Sequence, residues 1–167
     1  MKVFLDTNVI VSAVTTRGLC ADVFRAVLAD HNLVTSMKVL QEVQRILKVK
    51  FSVSDELIAE YLELIEEDAV LAKPGELAAL LIKDTDDVQI VAAAVAANAN
   101  VLVTGDREVQ GLKSIQETRI VSPREFWEEL TAQPGVVADL SRLQKRLSSQ
   151  GKKKRPVKRR STSAPDS

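Results

Sequence analysis

Met1-Lys-Val-Phe-Leu-Asp-Thr-Asn-Val-Ile-Val-Ser12 is the stretch on which the reading of this chain turns. Val3-Phe4-Leu5 is an apolar run short enough for one buried strand, and Asp6-Thr7-Asn8 ends it in polar groups. In an α/β sheet, ligands sit beyond the carboxyl ends of the parallel strands. A carboxylate directly after the first strand is therefore placed for chemistry. What the rest of the chain has to answer is whether other carboxylates reach the same edge.

Working outward, Val9 to Val14 stays apolar until Thr15-Thr16-Arg17-Gly18 breaks the pattern. Leu19, Val23, Phe24, Val27 and Leu28 have helical spacing, so residues 19–30 read as an amphipathic helix. Leu33-Val34-Thr35 reads as a second strand, and Ser36 as the N-cap of a helix over 37–50. On that helix Val39, Val43, Ile46 and Leu47 make one stripe, and at 100° per residue Glu42 falls at its edge. Ser52 or Ser54 caps a helix over 55–68, with Leu57, Ile58, Tyr61, Leu64 and Ile65 as its apolar face and a run of glutamates on the other. Ala69-Val70-Leu71 reads as a short strand, stopped at Pro74-Gly75.

Asp84-Thr85-Asp86-Asp87 then leads into Ile90-Val91-Ala92-Ala93-Ala94, a buried helix with an anionic start that suits both Asx capping and the macrodipole. Asp87 shares a face with Ile90, Val91 and Ala94 and is projected inward; Asp86 is the competing register. Val101-Leu102-Val103 is another apolar strand ending in polar residues, Thr104-Gly105-Asp106-Arg107-Glu108. Ile120-Val121 is the last strand, and Ser122-Pro123-Arg124-Glu125 is a capping box with proline at the first helical position.

The bulk numbers bound the function. The 167 residues, 46% hydrophobic, suffice for one core. No apolar run approaches the ~20 residues of a membrane span, and the chain opens on a strand rather than a signal peptide, so no membrane role and a cytoplasmic location are expected. Cys20 and His31 are the only residues of their types, which excludes an internal disulfide and a His- or Cys-based zinc site. Any metal would be held by carboxylates, which select a hard cation, Mg2+ or Mn2+. The net charge of zero hides an asymmetry: Lys152, Lys153, Lys154, Arg155, Lys158, Arg159 and Arg160 crowd the C-terminus, leaving residues 1–150 at 16 Lys and Arg against 22 Asp and Glu, net −6.

Alternating strands and helices predict an α/β fold, a parallel sheet flanked by helices. Asp6 and Asp106 then follow strands, Asp87 opens a buried helix and Glu42 borders an inward stripe. Each acid alone reads more readily as a cap or turn former than as a ligand. Together they would repel one another by several kcal/mol unless neutralised, and one or two divalent ions would neutralise them. Such a site suits phosphodiester hydrolysis.

The ordered set of Asp6-Thr7-Asn8, Glu42, Asp84-Thr85-Asp86-Asp87, Val103-Thr104-Gly105-Asp106 and Val121-Ser122-Pro123-Arg124-Glu125-Phe126 resembles a PIN domain over roughly residues 1–130. More narrowly it resembles bacterial PIN proteins that are toxin components of type II toxin–antitoxin systems, relatives of VapC. The resemblance implies a three-layer α/β/α sandwich with a central parallel sheet. It implies a Mg2+- or Mn2+-dependent endoribonuclease, a hydrolase with RNA as substrate, with Asp6, Glu42, Asp87 and Asp106 as catalytic metal-ligand acids. Asn8 and Thr104 match residues that support those ligands, and Glu108 falls near an often acidic position. A cognate antitoxin and a homodimer are the partners it implies.

Two other functions compete: a PIN-like nucleic-acid-binding module without cleavage, and a phosphatase of the haloacid-dehalogenase kind. The latter wants a second Asp two residues after the first, where this chain has Asn8. The domain plan expected is a nuclease domain over 1–132, an extra helix over 133–150 with Val137, Leu140, Leu143 and Leu147, and a basic tail over 151–167 too polar to build a core. The tail's seven cations are expected to bind RNA through counterion release or to dock an acidic partner.

Overall fold

In a computed structural model the described residues are 1–73, 75 and 84–132, and Met1–Gln133 form one compact unit. The proposed helix over 133–150 and the basic segment 151–167 lie outside the described residues.

The opening strand β1 is Lys2–Leu5, and α1 (Thr7–Thr15) follows it at once. The apolar run Val9 to Val14 is thus a helix. Asp6 starts it by accepting the Thr7 N–H at 2.6 Å, and Val9, Ile10 and Val11 bury themselves. Next come α2 (Leu19–Asp30), β2 (Asn32–Ser36) and α3 (Met37–Val49), the last capped by Ser36 accepting from the Val39 N–H. Ser54 caps α4 (Asp55–Asp68), which leads to β3 (Val70–Ala72). Asp84 caps α5 (Thr85–Ala96), and Asn98, with φ of 52°, turns the chain out of it. The remaining elements are β4 (Val101–Val103), α6 (Arg107–Gln110), β5 (Ser114–Ile115), β6 (Thr118–Val121) and α7 (Pro123–Ala132). At the start of α7 Ser122 and Glu125 exchange the two hydrogen bonds of the capping box.

The sheet order is β3-β2-β1-β4-β6-β5, parallel except for the β5–β6 edge pair. The chain walks from β1 to β2 to β3 in one direction, then returns through α5 to β4 on the other side of β1. With right-handed crossovers that reversal puts α1–α4 on one face and α5 on the other, which is a three-layer α/β/α arrangement. Packing agrees: α1 meets α2 and α3, α2 meets α7, and α5 lies on β2 and β3. The central strands β1 and β4 are buried on both faces, with Val3, Phe4, Leu5, Leu102 and Val103 all fully covered, whereas Val70 and Leu71 of β3 stay exposed.

On α4 only Ile58 and Ile65 of the five expected apolar residues are buried; Leu57 and Leu64 stay 43% and 44% exposed. The helix packs mainly on α3 rather than on the sheet, and a helix-on-helix contact covers a narrower stripe. Among the described residues no helix is long and apolar enough to cross a membrane.

Candidate active site

The strand order reverses between β1 and β4, and at such a switch point the loops leave the sheet in opposite directions and open a crevice. Leu5 pairs with Val103 in register, so Asp6 and Thr104 are the first residues past the ends of adjacent strands. The Asp6 N–H continues the ladder to the Val103 carbonyl at 3.0 Å. Thr104 Oγ1 donates to Asp6 Oδ2 at 2.7 Å, and the Thr7 N–H donates to Asp6 Oδ1. Both carboxylate oxygens are therefore held in a side chain only 4% exposed. Burial pushes the Asp6 carboxyl above its ordinary value; the hydrogen bonds from Thr104 and Thr7 oppose this, while Glu42 and Asp106 add to it.

Asp106 arrives from β4. Its N–H is bound by Thr104 Oγ1 at 3.0 Å, and its Oδ1 caps α6 through the Glu108 and Val109 N–H groups. Glu42 comes from α3, where Ser36 sets the start of the helix; its Oε2 accepts from Thr7 Oγ1 at 3.0 Å. Asp87 comes from the first turn of α5. Its pKa is raised to about 6, first by burial and then by Asp106, Asp84, Asp6 and Glu108. Two residues on different crossovers thus feel Asp106: Asp6 and Asp87. The neighbouring Asp86 is occupied otherwise, by an ion pair with Lys38 at 2.8 Å.

Of the expected site residues, Asp6, Glu42, Asp87, Asp106 and Thr104 are brought to one edge of the sheet, with Glu108 exposed beside Asp106. Asn8 is exposed on the first turn of α1, and none of the described hydrogen bonds ties it to the acids. Thr7, which the sequence reading passed over, takes the bridging place instead: its backbone holds Asp6 and its hydroxyl holds Glu42. The missed signal was the helix starting directly at Thr7, which turns that side chain back towards the strand end.

In donor type the cluster fits a hard divalent cation, being all carboxylate with no compensating base bonded to Asp6 or Asp87 among the described contacts. Each Asp6 oxygen accepts one hydrogen bond and keeps capacity for a second partner. As they stand, no three His, Cys, Asp or Glu among the described residues are gathered closely enough to hold an ion. The side chains would have to turn inward around a cation that offsets their repulsion.

Residues 2–108 match the family model of the PIN domain. Among solved structures, the chain is similar to one of VapBC2 from Rickettsia felis bound to a DNA fragment from their promoter. The TM-score is 0.52 at 20% identity, covering 73% of this chain and 98% of that one. It is similar as well to VapBC-1 from nontypeable Haemophilus influenzae, with a TM-score of 0.51 at 21% identity, covering 74% and 99%. No curated protein matches the sequence. The solved structures share the three-layer fold built here from strand order, and the family model spans the strand ends that carry Asp6 and Asp106 and the helices that carry Glu42 and Asp87; this chain belongs to the PIN domain family.

Proposed function

We propose that this protein is a metal-dependent endoribonuclease that hydrolyses RNA phosphodiester bonds and serves as the toxin of a toxin–antitoxin pair. The observation that supports this most is the convergence of Asp6, Glu42, Asp87 and Asp106 at the switch point of the sheet, where burial first, and then Asp106 and other neighbouring acids, raise the Asp87 pKa to about 6. A cluster so strained favours a cation over solvent. Asp6, Asp87 and Asp106 would hold one or two Mg2+ or Mn2+ ions, with Glu42 acting directly or through water. When bound, the cation acidifies water and offsets charge on a phosphodiester. The chain's own part is orientation: Thr104 fixes the Asp6 carboxylate, Thr7 fixes Glu42, and the cap of α6 fixes Asp106.

Structures of similar fold are VapBC assemblies, which supports a cognate antitoxin as partner; a homodimer and a cytoplasmic location belong to the same reading. Residues 1–132 would carry the nuclease, 133–150 an added helix and 151–167 a basic tail for RNA.

The test is incubation with a mixed-sequence RNA and, separately, with a small phosphomonoester, each with Mn2+ or EDTA. RNA fragments with Mn2+ alone, and no phosphate release, are expected. Phosphate release without RNA cleavage would return the protein to phosphatase chemistry, and RNA binding without cleavage to a non-catalytic module.

A further inference from the structure

Beside the acid cluster, α3 presents a second set of groups. Lys38, Gln41 and Arg45 are spaced three and four apart and share one face of the helix. With Glu42 and Asp86 they line a cleft of about 220 Å³, room for a phosphate and several waters at roughly 30 Å³ per water. Glu42 belongs to both places: it lines this cleft and it receives the Thr7 hydroxyl next to Asp6. The cleft is thus the approach to the cluster along α3.

We propose that Lys38, Gln41 and Arg45 form a ledge that takes the backbone phosphates of single-stranded RNA and leads the strand to the acids; this rests on the ribonuclease reading above.

The electrostatics ask for such a ledge. Asp6, Glu42, Asp84, Asp87, Asp106 and Glu108 together repel a polyanion, and a strand drawn to them needs cations along its path. Lys38 and Arg45 supply two, and both stay reachable, with side chains 39% and 63% exposed. Lys38 spends one contact on Asp86 at 2.8 Å and has further N–H donors to offer. Arg45 stands 3.7 Å from Glu42, beyond a good hydrogen bond, so its planar fork is free to turn to a phosphate. Exposed ion pairs of this kind are weak, and a phosphate can take them over at small cost. Gln41, between the two cations, adds a neutral amide donor for a phosphate or ribose oxygen. The ledge also explains why Asp86 and Asp87 differ. Asp86 anchors the Lys38 ammonium at the rim, and Asp87 faces the cluster.

The experiment measures binding of a fluorescently labelled single-stranded RNA 20-mer to the full chain in EDTA, across a series of salt concentrations. The wild type is compared with Lys38→Gln/Arg45→Gln, and thermal unfolding confirms that the variant is folded. Affinity is expected to fall about tenfold, and the salt slope by about 0.7 for each cation removed. In Mn2+ the loss of kcat/KM is expected to fall on KM. Unchanged affinity and slope in a variant whose wild type cuts RNA would overturn the ledge alone. A wild type that neither binds nor cuts RNA would overturn the ribonuclease reading and the ledge with it.

Discussion

The Thr104 hydroxyl donates to Asp6 Oδ2 at 2.7 Å across 98 residues of sequence, and Thr104 Oγ1 in turn accepts the Asp106 N–H. One buried side chain therefore ties the ends of β1 and β4 together at the switch point and sets two acids at once. Thr104→Val keeps the shape and removes both bonds. It is expected to destabilise the fold by about 2 kcal/mol in chemical denaturation. Cleavage of RNA is expected to fall by about 10–100-fold, as for other residues that orient ligands. Thr104→Ser should restore most of both.

Thr7 separates orientation from stability. Its N–H to Asp6 is backbone and survives substitution, whereas its hydroxyl to Glu42 does not. Thr7→Val is expected to cost no more than about 1 kcal/mol in stability. Mn2+ affinity, followed by titration calorimetry, is expected to drop by about tenfold. An unchanged Mn2+ affinity would show that the Thr7 hydroxyl does not orient Glu42 for the cation.

Asp87 gives the metal-free protein an unusual pH dependence. Its folded pKa of about 6 lies above the ordinary 3.8, so the folded state holds the proton more tightly than the unfolded chain. The stability it contributes is fully present below about pH 4 and is lost as pH rises through about 6. Asp87 is only partly buried, and after discounting for solvent screening the loss is on the order of 1 kcal/mol. Asp87→Asn is expected to flatten that part of the profile, and to be more stable than wild type at pH 7.5 in EDTA. Metal binding should strengthen across the same interval, because the ligand must be deprotonated.

Much of this architecture can be read from residues alone, and the exceptions have physical causes. Val3-Phe4-Leu5, Leu33-Val34-Thr35 and Val101-Leu102-Val103 are legible because strands buried on both faces are short unbroken apolar runs bounded by polar residues. The same property hides α1: Val9-Ile10-Val11 is β-branched and apolar, and only the Asp6 cap shows that it is a helix. The four-residue α6 and two-residue β5 are too short to carry a period. At the site, Glu42 and Asp87 are legible because helical phase places them beside buried residues. Thr7 and Lys38 are not, because their roles come from what another element brings opposite them, Glu42 in one case and Asp86 in the other.

The seven cations between Lys152 and Arg160 make a separate prediction. Deleting 151–167 is expected to leave the melting temperature of the nuclease domain unchanged while weakening RNA binding. If all seven meet phosphates, the salt slope falls by up to about 5. An unchanged slope would assign that segment to a partner other than RNA.

Asp6, the acid that directly follows β1 and is 4% exposed, is the ligand on which cation binding would depend most. Asp6→Asn keeps one oxygen for the Thr7 N–H, turns an NH2 towards the Thr104 hydroxyl, which can rotate to accept from it, and removes the charge that a cation needs. The direct measurement is Mn2+-dependent RNA cleavage by this variant beside wild type, both purified identically and shown to be folded. Loss of cleavage to background is the predicted result; full Mn2+-dependent cleavage by Asp6→Asn would contradict it.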